Sequence, residues 1–548
     1  MTDVGGPTYR GAVTSETTAQ TGNTPGQPPG GASGTGSDDK LDARVLLVAG
    51  VVVLGAIMSI LDITVVSVAQ PTFQTEFDAS PAEVAWTMTG YTLALATVIP
   101  LSGWAADRFG TKRLYMLAVL LFALGSALCA LATSIEMLVA FRVLQGLGGG
   151  MLMPVGMTIM TRAAGPERVG RVMAVLGIPM LLGPIFGPIL GGWLIDAASW
   201  HWIFLINIPI GMVALVYAWR VLPKDEVAPS ETFDWIGMLL LSPGLALFLF
   251  GISSIPGEGT VLAPRVLISA AVGLALIVAF VFRELSARRD HPLIDLHLFQ
   301  NFRLTIAVIA MALFAIAFFG ASLLFPQYFL LVRGEDTLQA GLLLAPQGIG
   351  AMLTMPVAGL LTDRIGPGKV VLTGIVVIVI GMLGFTLVGV SPDQVDVSAS
   401  GVSIDDPSYL LLLGSLFVMG LGMGATMMPI MSSALATLKD HEIARGSTLM
   451  NINQQVAASI GTALFSVLLT NGFNSSEQAS ALRDAAQSGQ PYTGGPQDIA
   501  IAYSDMSQAF ATSFLVGVIL VALCLIPVWF LPRKPSATSA DPAAAMMH

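Results

Sequence analysis

Fourteen apolar runs, each long enough to cross a lipid bilayer as an α-helix, occupy most of this sequence. A helix satisfies every backbone hydrogen-bonding group inside lipid, so it is the structure expected for each run. With 54% hydrophobic and 11% charged residues, the chain is too apolar for a soluble protein of its length. We therefore predict an all-α polytopic membrane protein, with spans at about 45–68, 82–105, 114–133, 136–160, 171–194, 202–222, 236–255, 264–283, 304–331, 338–361, 370–391, 409–433, 447–470 and 507–531.

The basic residues predict how these spans are oriented. With both termini in the cytoplasm, 21 of the 25 Lys and Arg residues fall on the cytoplasmic side, as the positive-inside rule requires. The net charge of −10 then belongs to the outer loops and does not indicate a nucleic-acid partner. Residues 1–42 are rich in Gly, Thr, Ser and Pro and have no apolar h-region, so we predict a disordered cytoplasmic tail, with a second tail at 533–548.

Asp62 is the one carboxylate deep inside an apolar run. It lies six residues from the far end of the first span, roughly 9 Å below that surface. A charge near the bilayer centre costs about 2.5–3.5 kcal/mol, so the side chain needs a partner or a watery cavity. Arg142, six residues after Glu136 in the fourth span, lies at the same depth.

A short motif after the second span is repeated after the tenth. The two copies share a Gly-x₃-Asp-Arg-x-Gly pattern followed by Lys, and a weaker glycine and proline repeat links the fourth and twelfth spans. Repeated halves predict two six-helix bundles, 43–224 and 291–532, around a central binding site, with two inserted spans in 225–290. The motif residues are Gly103, Asp107, Arg108, Gly110 and Lys112, then Gly359, Asp363, Arg364, Gly366 and Lys369; the weaker repeat is Gly146, Gly148, Gly150 and Pro154, then Gly420, Gly422, Gly424 and Pro429.

These motifs resemble those of the major facilitator superfamily, and within it the fourteen-span drug:proton antiporters of the EmrB/QacA type. The motif that begins at Gly103 resembles the cytoplasmic loop signature, and Arg142-Val-Leu-Gln145-Gly146 resembles the fourth-span signature. Leu61-Asp62-Ile-Thr64 resembles the first-span signature of the fourteen-span branch. The fifth span matches the pattern that the family associates with antiport, at Gly183, Pro184, Gly187, Pro188, Gly191 and Gly192.

The resemblance implies roles for several residues. The first and fourth spans line the N-terminal half of the cavity in that fold, so we expect Asp62 and Arg142 to meet directly or through water and substrate. A carboxylate that alternates between burial and contact with arginine can load and release a proton. The alternative is a fixed ion pair that only holds two helices together. The loop residues Gly103, Asp107, Arg108, Gly110 and Lys112, with Asp363 and Arg364 as a weaker copy, resemble a conformational latch; the alternative is that they only set topology.

Substrate contacts are expected from polar and methionine side chains in the spans. We predict Asp62, Gln145, Met153, Gln347, Met423, Asn451 and Gln455. Methionine surfaces suit promiscuous binding, although such stripes are also common in cores and on lipid-facing surfaces. The polar group 451–455 has the alternative of lying at the cytoplasmic end of its span.

The predicted function is proton-coupled multidrug efflux across the plasma membrane by alternating access. One proton crossing about 100 mV and one pH unit releases roughly 2.3 plus 1.4 kcal/mol, so a single-proton site favours neutral or monocationic lipophilic substrates over dications. The alternative on the same fold is export of an endogenous metabolite, lipid or siderophore. We expect no enzyme activity, since the sequence has no Walker A loop, GxSxG elbow or HExxH helix, and we expect a monomer with no metal and no cofactor besides the proton gradient.

Overall fold

The computed structural model describes residues 43–165, 168–225, 233–258, 261–286, 293–335, 337–398, 401–404, 409–439, 441–488 and 494–534. Within these ranges the chain is almost entirely helical. The predicted tail at 1–42 and all but two residues of the predicted tail at 533–548 lie outside the described residues.

The described residues form twenty-one α-helices, which we number in chain order. They are α1 Ala43–Val68, α2 Gln70–Glu76, α3 Pro81–Phe109, α4 Thr111–Cys129, α5 Ile135–Ala164, α6 Val169–Ala197, α7 Trp202–Leu205, α8 Asn207–Val221, α9 Trp235–Glu258, α10 Pro264–Ser286, α11 Phe302–Ser322, α12 Leu324–Leu331, α13 Thr337–Leu343, α14 Ala345–Ile365, α15 Pro367–Leu383, α16 Tyr409–Gly424, α17 Met427–Leu435, α18 Ile443–Asn474, α19 Glu477–Ser488, α20 Pro496–Leu523 and α21 Leu525–Val528.

Thirteen of the predicted spans coincide with helical segments that are long and apolar enough to cross a membrane, counted over the described part of the chain. The remaining run, 171–194, lies within α6, a helix of 29 residues in which several side chains fall outside the description, among them Pro184 and Pro188. The prediction of a polytopic helical membrane protein is therefore confirmed.

Prolines explain why several spans consist of two helices. A proline lacks the backbone N–H that would bond to the carbonyl four residues earlier, and its ring crowds that carbonyl. Each of six helix breaks lies two to four residues before a proline: Ala69 before Pro71, Ile206 before Pro209, Leu323 before Pro326, Leu344 before Pro346, Ala425 and Thr426 before Pro429, and Cys524 before Pro527. Pro100, Pro154 and Pro356 lie inside unbroken helices, so proline permits a break without forcing one.

A short β-hairpin departs from the all-helical prediction. Strand β1, Val395–Ser398, pairs antiparallel with β2, Gly401–Ile404. Val395 of β1 shares an apolar cluster with Ala500 of α20. In the segment before the hairpin, the carbonyl of Val390 accepts from Ser504 of α20 over 2.8 Å.

The glycine repeat places α5 between α3 and α4 and places α16 between α14 and α15. A Cβ added at Gly146 or Gly150 would lie 2.6 Å from a carbonyl oxygen of α3, and one at Gly148 would lie 2.5 Å from a backbone nitrogen of α4. The second copy alternates in the same way, with Gly420 and Gly424 against α14 and Gly422 against α15. Small residues allow this close backbone approach, which drives helix association in lipid.

Helix α9 of the inserted pair packs against α3 and α18, one helix from each repeat, and α10 packs on α9. The rings of Trp86 on α3 and Phe250 on α9 stack with centroids 5.6 Å apart. Ile252 and Ile255 of α9 share an apolar cluster with Ala463 of α18. The inserted pair is thus in contact with both halves of the repeat.

Candidate functional site

A buried ion pair between Asp62 of α1 and Arg142 of α5 forms the centre of the site. Arg142 Nη1 donates to Asp62 Oδ2, and both side chains are inaccessible to solvent. The two residues that the sequence places at one depth are therefore in direct contact. Each is carried by a long helix that packs on the other, so their positions are set by the bundle.

Two amides complete the surroundings of the carboxylate. Gln145 Nε2 donates to Asp62 Oδ1 over 2.7 Å, and its own Oε1 accepts from Arg142 Nη1 over 2.8 Å. Asn207 at the start of α8 donates to the same Oδ1 over 3.3 Å and to Ser126 Oγ over 3.0 Å. The three side chains described above as hydrogen-bonded to Asp62 all act as donors to its carboxyl oxygens.

The guanidinium of Arg142 is held by α3 as well. Its Nε donates to the carbonyl of Thr87 over 3.2 Å, and its plane lies over the ring of Tyr91, 4.2 Å from the centroid. Its Nη2 has no hydrogen-bond partner among the described residues, although the side chain is fully buried. Arg142 therefore retains one nitrogen, with two N–H groups, that a rearranged site can use.

Among the described residues, the second half does not repeat the Arg and Gln of this polar cluster at the equivalent positions. The glycine repeat aligns Arg142 with Leu416 and Gln145 with Met419, and both of these second-half residues are buried and apolar. Burying a charge without a partner is expensive, so an ion pair at one of two equivalent positions is a specialised feature of that half.

The predicted fifth-span glycines bring α6 against the helix of Asp62. A Cβ added at Gly183 would overlap Ile60, and one at Gly187 would overlap Thr64. Gly191 approaches Val65, with an added Cβ 3.1 Å away, whereas Gly192 has nothing within 4 Å. The side chains of Pro184 and Pro188 lie outside those described. Three of the four glycines therefore hold α6 tightly on α1, on either side of the acid.

The predicted latch residues gather at one end of the bundle, which we call the latch end. There Asp107 pairs with Arg162 of α5 over 3.1 Å, and Arg108 is half-buried beside it. Gly103 faces α18: an added Cβ would lie 2.9 Å from Thr448 Oγ1, and the hydroxyls of Ser102 and Thr448 are 3.0 Å apart. The first copy of the motif thus contacts the second half directly.

The second copy of the motif caps a helix of the first half. Asp363 accepts from the backbone N–H groups of Gly170 and Arg171, over 3.0 and 3.3 Å, at the N-terminus of α6. It also pairs with the Arg171 guanidinium over 2.9 Å. Arg364 is exposed at the same end. A carboxylate at a helix N-terminus is stabilised by the helix dipole, so Asp363 ties the two halves together.

Gly110 and Lys112 organise the turn within the first half. Gly110 has φ of +91°, a conformation that favours glycine, and the Asp225 side chain fills the space where a Cβ would stand. Asp225 accepts from the Lys112 N–H over 2.7 Å, while Lys112 Nζ donates to the carbonyls of Trp219 and Leu222 over 2.7 and 2.8 Å. These residues join the start of α4 to the end of α8.

Two small cavities lie where α5, α6 and the second half meet. The first has a volume of about 40 Å³ and is lined by Met180, Phe314, Phe318, Phe319, Met355, Met423, Met427 and Met428. The second has a volume of about 10 Å³ and is lined by Met153, Met157, Met173, Leu176, Met180, Met428, Met431 and Gln454.

The predicted substrate residues divide between these cavities and other places. Met153 and Met423 line a cavity, and Gln347 Nε2 donates to Met423 Sδ over 3.1 Å. Asn451 donates to Met157 Sδ over 3.2 Å, linking α18 to α5. Gln455 is half-buried, but its neighbour Gln454 is the residue that lines a cavity. Asp62 and Gln145 line neither cavity and belong to the ion-pair cluster.

Sequence reasoning missed Asn207, Ser126 and the α6 methionines. A polar side chain in an apolar run is a signal for function, and Asn207 carries that signal at the start of α8. Met173 and Met180 are seven residues apart, two helical turns, which places them on one face of α6. Neither feature identifies the residue across the interface, so the contacts emerge only from the fold.

Comparison with known proteins agrees with this geometry. The family model described as Major Facilitator Superfamily matches residues 52–462. The "Multidrug resistance protein B homolog" of Mycobacterium tuberculosis (strain ATCC 25618 / H37Rv) is 50% identical over 513 residues, 91% of this chain and 92% of the relative. The "Multidrug export protein EmrB" of Haemophilus influenzae is 30% identical over 419 residues, 76% of this chain and 79% of the relative.

Solved structures share the fold at low sequence identity. The human organic anion transporter MFSD10 (TETRAN) gives a TM-score of 0.57 at 16% identity, covering 88% of this chain and all of that one. The proton:xylose symporter XylE gives 0.52 at 15% identity, covering 90% of this chain and 97% of that one.

Proposed function

The chain belongs to the major facilitator superfamily, and from that premise we propose that it is a proton-coupled multidrug efflux antiporter. It exports lipophilic neutral or monocationic compounds across the plasma membrane by alternating access. The names of the mycobacterial and Haemophilus relatives support the multidrug substrate range. The observation that carries the coupling is the buried Asp62–Arg142 pair; the second half has buried Leu416 and Met419 at the positions equivalent to Arg142 and Gln145.

Proton exchange follows from the contacts of Asp62. Protonation removes the carboxylate's charge and leaves the Arg142 charge buried without its counter-ion, an imbalance worth about 3–5 kcal/mol. The side chains must then rearrange, and the unpaired Nη2 of Arg142 can move toward water or substrate. When Asp62 pairs with Arg142 again, the Asp62 carboxyl group releases its proton. The site thus has two arrangements that differ by one proton, which coupling requires.

The link from this site to the interface is α6. Gly183 and Gly187 hold α6 against α1 beside Asp62, and the same helix packs on α14 and α17 of the second half. A shift of α1 when Asp62 changes charge therefore moves a helix that touches both halves. Asp363 at the N-terminus of α6 holds the latch end closed until that shift occurs.

The cavity residues support the substrate class. Thioethers, aromatic rings and one amide line the two cavities, and neither lining contains an acid or a base. Such surfaces adapt to apolar and aromatic molecules and contain no carboxylate to pair with a cation, so they favour cargo of low charge. One proton exchanged per cycle matches neutral or monocationic cargo.

Topology and organisation follow from the same proposal. The latch end faces the cytoplasm together with both termini, residues 43–224 and 291–532 form the two transporting bundles, and 225–290 is the inserted pair. The transporter acts as a monomer in the bilayer and needs no cofactor beyond the proton gradient.

Dye efflux from energised proteoliposomes tests the proposal. The unaltered chain should extrude a monocationic dye when an inward proton gradient is imposed, and Asp62→Asn should abolish that gradient-driven flux. The matched control is Asp396→Asn, which alters an exposed acid on the hairpin and should transport normally. Equal gradient-driven transport by the Asp62→Asn variant would remove the ion pair from coupling, and a dication exported as fast as the monocation would contradict the substrate class.

A further inference from the structure

The two methionine-lined cavities are separated by the side chains of Met180 and Met428. These are the residues that both linings share. Met180 comes from α6 in the first half, and Met428 comes from α17 in the second half. The boundary between the cavities is therefore built from one flexible side chain of each half.

Gly177 provides the notch in which this boundary sits. An added Cβ at Gly177 would lie 2.8 Å from both Met355 Sδ and Met428 Cγ. Gly177 lies one turn from Met180 on α6, so the missing side chain gives the second-half methionines room beside the boundary. The side chains of Met355 and Met428 therefore occupy the space that a side chain at position 177 would take.

We propose that Met180 and Met428 form a movable partition that sets the size of the aromatic substrates this transporter accepts. The inference rests on the proposed function and adds the residues that determine substrate size. With volumes of about 40 and 10 Å³, neither cavity holds a drug-sized molecule. Pockets for such ligands have volumes of about 300–1,000 Å³.

Joining the two cavities connects their linings into one surface, and separation of the two halves during alternating access supplies the remaining volume that a drug-sized ligand needs. Methionine has three rotatable side-chain bonds and no branch, so both partition side chains can swing aside at low energy. Their sulfur atoms then face the substrate, and thioether contacts with aromatic rings are favourable. Phe314 and Phe318, stacked with centroids 5.6 Å apart, supply aromatic surface to the lining of the first cavity. The preferred substrate therefore carries an aromatic ring system, and its upper size depends on how far the partition opens.

The test compares two monocationic aromatic dyes of different size, ethidium and rhodamine 6G. Because the two dyes carry the same charge, the proton gradient supplies the same free energy for the export of each. Met180→Ala and Met428→Ala remove the partition, and we expect each to raise the ratio of rhodamine 6G to ethidium affinity on the order of tenfold. Met180→Leu and Met428→Leu preserve volume but add a branch, and we expect them to lower that ratio. The control is Met506→Ala, a buried methionine of α20 that lines neither cavity, and its ratio should equal that of the unaltered chain.

Binding is measured by dye fluorescence anisotropy on purified protein without a gradient, and efflux is measured separately in energised vesicles. Equal ratios in the alanine, leucine and control variants would overturn the partition, since a purely structural role changes both dyes alike. If an alanine variant fails to fold, the affinity ratio of the leucine variants is compared with that of the unaltered chain instead. Altered binding ratios in a protein that pumps neither dye would leave the partition standing and contradict the proposed efflux function.

Discussion

Replacing Asp363 by Asn should open the latch end. The Asp363 carboxylate pairs with Arg171 over 2.9 Å, with both side chains mostly shielded from solvent. Asn keeps an oxygen that can accept from the backbone of Gly170 but loses the charge-assisted bond. Such bonds contribute about 1.5–3 kcal/mol. Since each 1.4 kcal/mol is tenfold, the ratio of closed to open latch should fall by about 10–100-fold.

Double electron–electron resonance, which measures distances between spin labels, can report this shift. Spin labels at Phe109 and Ile365, exposed residues at the ends of α3 and α14, report on the two copies of the motif. The Asp363→Asn variant should show a longer-distance population that is minor in the unaltered chain. Arg171→Gln should produce the same population, and the double variant should add little, because both changes remove one interaction. An unchanged distance distribution in Asp363→Asn would refute the idea that this contact holds the latch closed.

Three further predictions concern packing, the ion-pair cluster and pH. Gly187→Ala should lower the melting temperature and the transport rate, because the added Cβ overlaps α1 and overpacking costs about 1–3 kcal/mol. Gly192→Ala, which adds a Cβ with nothing within 4 Å, should match the unaltered chain. Equal melting curves for the Gly187→Ala variant and the unaltered chain would contradict the packing. Gln145→Leu should destabilise the fold by about 1–3 kcal/mol, measured by denaturant unfolding, since the buried carboxylate loses a donor; no loss of stability would contradict the hydrogen bond. Burial alone would raise the pKa of Asp234, but hydrogen bonds from Arg283 and from a backbone N–H bring the pKa below its ordinary 3.8. The folding free energy that the ionised Asp234 contributes is therefore present above pH 3.8 and is lost as the pH falls further. Asp234→Asn should flatten this acid dependence of the melting temperature, and an unchanged dependence would contradict the assignment.

The depth of the ion pair could be predicted from the sequence because helical rise is constant. Asp62 and Arg142 lie equally far from the ends of their runs, so the same geometry that makes each run a span brings the two charges to one level. Asn207 was not predicted as a partner because its contact depends on how α8 crosses α1. Rise along one helix contains no information about the rotation of its neighbour.

The glycine repeat predicted the relation between the halves but not the division of labour between their copies. Gly146 and Gly420 mark equivalent close approaches, yet the helix that carries Pro154 is continuous and the span that carries Pro429 is broken. Asp363 caps α6 although the first copy of the motif matches the family signature. Repeats fix equivalent backbone positions, whereas side-chain partners depend on what the other half presents.

Proton release on substrate binding tests the central claim most directly. Purified transporter in weakly buffered detergent solution, starting with Asp62 protonated, should release about one proton for each monocationic dye bound, and Asp62→Asn should release none while still binding dye. Release of the same single proton by the Asp62→Asn variant, or of two protons per dye by the unaltered chain, would contradict the claim that this one buried carboxylate couples drug to proton.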